Sequence, residues 1–316
     1  MGSEYSPSQC FQYPLNQSDT IDMTSTPLKL NCLELATRLK RGPAEHKGNA
    51  GKAVLIGGAP GMAGALVLAG NACLHLGAGW TILEMFDPSS SHADANQPEL
   101  MIRLASTQAQ ETLAKQTPDV IAIGPGLGSS PMAIEWLKAA LSFPNIPLVI
   151  DADALNCIAD SDDLLKLLQK RNHQFPKMTV ITPHPGEAAR ILHTTSDAIQ
   201  KDRQEAIRKL VGLTQSIVVL KGQHTLIASP QHSVTQCLEG NPGMGTGGMG
   251  DILTGTITAI AAQGVRHHIN LWEATGIAVQ LHATAADSLV DKGVGPIGLT
   301  PSETIVEMRS LLNKLL

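Results

Sequence analysis

The sequence predicts an α/β fold, a three-layer α/β/α sandwich around a mostly parallel central sheet. Three observations carry that prediction. Apolar runs of about four residues recur without polar alternation, the pattern of strands buried on both faces. Each run ends in Gly, Asp or Pro and is followed by a helical pattern, the rhythm of right-handed β-α-β crossovers. Hydrophobic residues make up 43% of the chain, yet it holds only four Phe, three Trp and two Tyr. The interior must therefore be filled by aliphatic side chains, which suits layered α/β packing.

Residues 1–27 are rich in Ser, Gln, Asn, Asp and Thr and read as a flexible N-terminal arm or a tether onto a partner subunit. No composition break or solenoid repeat follows, so residues 28–316 are expected to form one domain. Leu28–Arg41 has helical spacing and predicts a first helix ending near Gly42-Pro43. Strands are expected at Ala53–Ile56, Thr81–Met85, Val120–Ile123, Leu148–Ile150, Thr179–Ile181 and Ile217–Leu220. Helices are expected between them at Gly64–Leu76, Ser130–Leu141, Asp163–Lys170, Gly186–Leu192 and Asp197–Val211. Leu226–Ala228 and Ser233–Cys237 flank a turn-rich tetrapeptide and predict a β-hairpin at one sheet edge. Asp251–Gln263, Leu271–Val290 and Pro301–Leu316 complete the helices.

The net charge of −5 gives no global attraction to nucleic acid or anionic membrane. The five cysteines lack CxxC or CxxH spacing, so neither a zinc site nor a disulfide framework is indicated. The N-terminal residues lack the apolar core of a signal peptide, and no apolar run is long enough to span a membrane. A cytoplasmic protein is the expectation.

The most informative segment runs from Asn241 to Asp251. It holds five glycines directly before an apolar helix. Glycine lets backbone N–H groups converge without Cβ interference. A helix N-terminus adds about half a positive charge, so the segment reads as an anion-binding nest. Asp251 would repel a phosphate bound there for its own sake. It makes sense as a base that takes a proton from a hydroxyl about to be phosphorylated. The plain alternative is an N-cap aspartate after a linker. No Gly-Lys-Ser/Thr follows, so this is not a P-loop, and Ile56–Gly61 fails the dinucleotide fingerprint.

Five motifs, in order, resemble the ribokinase-like ADP/ATP-dependent NAD(P)H-hydrate dehydratases. They are Gly124-Pro-Gly-Leu-Gly128, Asp151-Ala-Asp-Ala-Leu-Asn156, Thr182-Pro-His-Pro-Gly-Glu187, Leu220-Lys-Gly-Gln-His-Thr225 and Asn241–Gly255. The resemblance covers about 48–289. It implies a ribokinase-like fold and a repair reaction. Hydration of NADH or NADPH places a hydroxyl at C6 of the nicotinamide ring; the enzyme phosphorylates it from ADP or ATP, phosphate leaves, and the double bond re-forms. The family often follows an epimerase domain; here the match starts too early for one, so the stand-alone dehydratase is expected.

The resemblance implies roles residue by residue. Asp251 is the catalytic base and touches the hydrate. Gly247, Gly248 and Gly250 form an anion hole, with Thr246 as a further donor. Ala65, Gly126, Gly128 and His184 contact the hydrate. Lys221, Gly222, Gln223, His224, Thr225 and Gly250 line ADP or ATP. Mg2+ is an expected cofactor, and its ligands are unassigned. Asp151, Asp153 and Asn156 form an acidic edge near the nucleotide and magnesium; Asp153 could equally cap the next helix. His184 could instead be a loop histidine bonded to backbone. Glu187 reads first as a helix N-terminal charge and second as an orienter of water around magnesium. A homo-oligomer is expected, the tetramer foremost. The competing readings are a vitamin or sugar kinase, which would release its phosphorylated product, and a non-catalytic nucleotide sensor.

Overall fold

A strand that buries both faces must send successive side chains into two separate cores. The strand β2, Lys52–Gly57, does this. Ala53 and Leu55 enter one apolar cluster, while Val54 and Ile56 enter the other. All four are fully buried. The computed structural model describes residues 26–316, so the arm expected at residues 1–27 lies, up to residue 25, outside the described residues.

The other strands are β1 (Leu28–Lys29), β3 (Trp80–Met85), β4 (Met101–Leu104), β5 (Val120–Ile123), β6 (Leu148–Ile150), β7 (Thr179–Ile181), β8 (Ile217–Leu220), β9 (Leu226–Ser229) and β10 (His232–Gln236). They form one sheet in the order β1-β10-β9-β8-β7-β6-β5-β2-β3-β4. From β8 through β4 every neighbouring pair is parallel. β8–β9 and β9–β10 are antiparallel, and β1 joins β10 in parallel. The expected α/β/α class is thus the observed one.

One face carries α1 (Ala63–His75), α9 (Met249–His267), α10 (Leu271–Asp291) and α11 (Pro301–Leu315). The other carries α2 (Ala109–Gln116), α3 (Pro131–Ser142), α4 (Ala152–Ala159), α5 (Asp162–Gln174), α6 (Pro185–Ile191), α7 (Ser196–Lys201) and α8 (Arg203–Thr214). Helix α9 lies between α1 and α10 and over β2, β5 and β6. Gly255 makes that approach possible, because a Cβ there would overlap the carbonyl of Ala69 in α1.

Several expectations need correction. Leu28–Arg41 is not one helix but β1 followed by a 3-10 helix at Leu33–Leu39. Long-range partners capture its backbone: Leu30 N donates to Gln236 O at 2.8 Å and Cys32 N to Gln280 Oε1 at 2.7 Å. The expected helix Asp197–Val211 is two helices, α7 and α8, broken at Asp202, whose side chain accepts from Glu205 N at 2.9 Å. The hairpin β9–β10 is present, but β1 lies outside it and forms the edge.

Candidate active site

In a parallel sheet the loops leaving the carboxyl ends of the strands share one rim. Backbone bonds lock five such ends together here. Gly124 N donates to Ile56 O, Asp151 N to Ile123 O, Thr182 N to Ile150 O and Lys221 N to Pro183 O. The loops after β2, β5, β6, β7 and β8 therefore rise side by side, and α9 brings its N-terminus to the same rim.

Helix α9 begins without a side-chain cap. Its N-cap Gly248 has φ 95°, a left-handed conformation suited to glycine. Among the described residues, the amides of Gly247, Gly248, Gly250 and Asp251 have no acceptor. A Cβ at Gly245 or Gly247 would meet nothing within 4 Å. The turn thus presents unpaired N–H groups to open space at the positive end of a 19-residue helix.

Asp251 is in the first turn of α9. Burial pushes its carboxyl up to about 7, the Asp151 charge adds to the shift, and Lys221 opposes it. A carboxylate with that poise accepts a proton near neutral pH far more readily than an ordinary aspartate.

Lys221 is the cation of the cluster. Its Nζ is 2.7 Å from Asp151 Oδ1 and 3.8 Å from Glu187 Oε2. Burial works against its charge, but Asp151 and Glu187 hold its pKa above the ordinary lysine value. Asp151 is 1% exposed, and its other oxygen accepts from Thr254 Oγ1 at 2.8 Å. The turn from β6 into α4 passes through Ala152 at φ 48°, a left-handed backbone that costs a residue with a Cβ about 1–2 kcal/mol. A Cβ on Gly250 would be 3.2 Å from Lys221 Nζ and 3.8 Å from Asp151 Oδ2. Asp251, Gly250, Lys221 and Asp151 therefore form one group.

His184 caps α6. Its Nδ1 accepts from Gly186 N at 2.9 Å and Glu187 N at 3.3 Å, and Glu187 returns a bond to His184 N at 2.7 Å. Glu187 is thus a helix-start carboxylate that also faces Lys221, and burial pushes it up to about 7. Burial, with Lys221 nearby, holds the His184 ring below the ordinary histidine value. Its side chain remains 55% exposed, so the ring is both cap and open surface.

Ala65, Gly126 and Gly128 form a neighbouring group. Gly126, at φ 58°, packs on the Met62 carbonyl at the start of α1, and Ala65 N donates to Met62 O at 3.2 Å. Gly128 N donates to Asp153 Oδ2 at 2.9 Å, which ties this group to the acidic edge. Gly222, Gln223, His224 and Thr225 turn from β8 into β9. Gln223 and His224 line a cavity of about 300 Å3 with Gln200, Arg203 and Gln236, and neither Lys221 nor Asp251 lines it. Among the expected nucleotide residues, Lys221 and Gly250 adjoin Asp251, while Gln223 and His224 face this second hollow.

Two residues were missed from sequence. Arg203 donates to Leu220 O at 3.0 Å and Lys221 O at 3.2 Å, holding the end of β8. Thr254 supports Asp151. Thr254 stands one helical turn after Asp251, and that spacing was its available signal.

The mostly parallel sheet with helices on both faces is the ribokinase-like α/β architecture. The profile of the NAD(P)H-hydrate dehydratase family matches residues 53–307, and the chain belongs to that family. It is 38% identical over 268 residues to the bifunctional NAD(P)H-hydrate repair enzyme Nnr of Vibrio cholerae, covering 85% of this chain and 51% of that protein. It is 35% identical to the ADP-dependent (S)-NAD(P)H-hydrate dehydratase of Neisseria meningitidis, covering 87% of this chain and 89% of that one. The ADP/ATP-dependent NAD(P)H-hydrate dehydratase of Bacillus subtilis, crystallised with ATP and Mg2+, superposes with a TM-score of 0.76 at 27% identity, covering 92% and 99% of the two chains. The chain spans about half the length of the first bifunctional relatives it matches.

Proposed function

We propose that this protein repairs hydrated nicotinamide nucleotides, dehydrating (S)-NAD(P)H hydrate at the expense of ADP or ATP. One observation carries the reading: a carboxyl pushed up to about 7, Asp251, stands at a helix start whose neighbouring amides are unpaired. The base takes the proton of the C6 hydroxyl. The freed oxygen attacks the terminal phosphorus of the nucleotide, and AMP (from ADP) or ADP (from ATP) leaves. The amides of Gly247, Gly248 and Gly250 hold the transferring phosphoryl oxygens. The ring C–O bond then breaks with phosphate as leaving group, and loss of a proton from the adjacent ring carbon restores the double bond. Phosphate leaves far more easily than hydroxide, which is why a nucleotide is consumed.

Lys221 balances the charge of Asp151 and Glu187 and stands ready to meet a nucleotide phosphate. Ala65, Gly126, Gly128 and the open side of His184 are assigned to the hydrate. Gly222–Thr225 are assigned to the nucleotide. Among the described residues no group of three His, Cys, Asp or Glu side chains is placed to hold a metal. Asp151, Glu187 and Asp153 are already engaged by Lys221, His184 N and Gly128 N. We therefore assign Mg2+ to the nucleotide, on phosphate oxygens and water. Residues 28–316 as one catalytic domain, a homo-oligomer with the tetramer foremost, and a cytoplasmic setting belong to the same proposal. Among the described residues no helix is long and apolar enough to cross a membrane.

The test incubates the purified chain with NADH hydrate or NADPH hydrate and with ADP or ATP. Recovery of the reduced-nicotinamide absorbance, matched by inorganic phosphate, is the expected result. A stable phosphorylated hydrate would make the protein a kinase; nucleotide binding without either product would make it a sensor.

A further inference from the structure

The glycines that leave amides free also make the turn from Asn241 to Gly248 hard to hold still, because glycine loses the most backbone entropy on ordering. Its far end is fixed by α9 and by close packing of Gly248, where a Cβ would lie 2.6 Å from Leu68 and 2.9 Å from Pro301. Its near end is fixed differently. Asn241 Oδ1 accepts from Gly243 N at 3.0 Å and caps the 3-10 turn Pro242–Gly245. Asn241 Nδ2 in turn donates to Asp287 Oδ1 at 2.9 Å, and Gly240 N, at φ 108°, donates to Asp287 Oδ2 at 2.8 Å. Asp287 lies near the end of α10, a 21-residue helix closed at its start by the Asn270–Glu273 capping box. Both carboxylate oxygens are engaged by this one turn. Between the two anchors, Gly245, Thr246 and Gly247 remain exposed.

We propose that Asp287 is the positioning residue of the phosphate cradle: through Gly240 N and the Asn241 amide it fixes the start of the glycine turn, and so sets where the free amides meet a nucleotide phosphate. The inference deepens the proposed function and rests on it only in taking that phosphate to be a nucleotide's. A carboxylate is required because each oxygen accepts from a different donor. Asp287→Asn would turn a donor toward the donor of Asn241. The exchange Asn241→Asp with Asp287→Asn reverses the polarity of that contact and lets all three bonds re-form.

The test uses the full chain and ADP as probe, with titration calorimetry, steady-state kinetics and thermal midpoints measured on the same preparations. Asp287→Asn is expected to weaken ADP binding about 10- to 100-fold, the scale of a lost charge-assisted hydrogen bond. The KM for the hydrate should stay within about 3-fold, because Ala65, Gly126, Gly128 and His184 are on other loops and Asp251 is held in α9 beyond the packed Gly248. The double exchange should recover ADP binding to within about 3-fold of wild type. Glu307→Gln is the structural control. It removes the ion pair of Glu307 with Lys292 at 2.6 Å, while the remaining amide oxygen can still accept from Ser288 (2.8 Å in the wild type), beside Asp287 but off the turn. It should lower the thermal midpoint without changing ADP binding. Wild-type ADP binding by Asp287→Asn would overturn the proposal. So would a folded double exchange that binds ADP about 10-fold or more weaker than wild type, an outcome that also decides the matter if Asp287→Asn fails to fold. A wild-type chain that binds ADP but does not restore NADH would refute the proposed reaction and leave this comparison readable. A wild-type chain that binds neither ADP nor ATP would overturn both.

Discussion

Two glycine-rich turns enter helices on the same face of the sheet, and Gly57 and Gly58 of one contrast with Gly245 and Gly247 of the other. In the turn from β2 to α1, Gly57 and Gly58 are there for close packing. A Cβ on Gly57 would overlap the Pro125 carbonyl, and one on Gly58 would collide with the Met85 sulfur. Their amides are committed, Gly58 N to Pro125 O at 3.0 Å and Ala59 N to Gly126 O at 2.6 Å. In the turn into α9, a Cβ on Gly245 or Gly247 would touch nothing, and the amides around it are unpaired. The first turn also lacks an acid at the start of its helix, while the second places Asp251 there. At Gly57 and Gly58 the missing side chain serves packing; at Gly245 and Gly247 it leaves the neighbouring unpaired amides uncovered.

The largest expected effect breaks the chemistry and spares the fold. Asp251→Asn should lower kcat about 10^2- to 10^4-fold, the range of a lost general base, with ADP affinity within about 3-fold of wild type. Next comes the glycine contrast itself. Gly57→Ala should cost about 1–3 kcal/mol in denaturant unfolding, as overpacking does. Gly247→Ala should leave stability within about 0.5 kcal/mol, as open surface positions do, while weakening ADP binding about 10-fold. Loss of stability at Gly247, or none at Gly57, would break the comparison.

A smaller shift is expected from Lys221→Met. Lys221 lowers the Asp251 pKa against burial and the Asp151 charge. Without it the acid limb of the pH–rate profile, near 7 in the wild type, should move about one unit more alkaline. The same carboxyl also carries a pH-dependent effect on stability. The folded Asp251 pKa of about 7 is above its ordinary 3.8. The folded state therefore binds the extra proton between these values, and this group's stabilising contribution, complete below pH 3.8, is lost as pH rises through 7. Asp251→Asn should accordingly have a higher thermal midpoint than wild type at alkaline pH and none of that advantage in acid.

Legibility in the sequence followed physical isolation. Val120–Ile123, Leu148–Ile150, Thr179–Ile181 and Ile217–Leu220 were readable to the residue, because each is a buried run ended by a glycine, an aspartate, a Thr-Pro or a Lys-Gly turn. β4 was not, because it is a half-exposed edge strand without a clear period. Nor was α4, which follows β6 after a single residue and leaves no loop signal. Leu28–Arg41 misled because its extended backbone is dictated by Gln236 and Gln280, more than 200 residues away. The candidate site was legible as motifs, four at strand ends and one at the start of α9. The ion pair of Lys221 with Asp151, the support from Thr254 and the capping role of His184 depend on contacts between motifs, which no single motif encodes.

The claim that the ring alcohol is esterified before it is expelled has a direct test. The hydrate is prepared with a heavy-oxygen label in its C6 hydroxyl and turned over with ADP. The account predicts that the label appears in the released inorganic phosphate, one atom per NADH formed. Label found in water instead, with NADH regenerated, would contradict it.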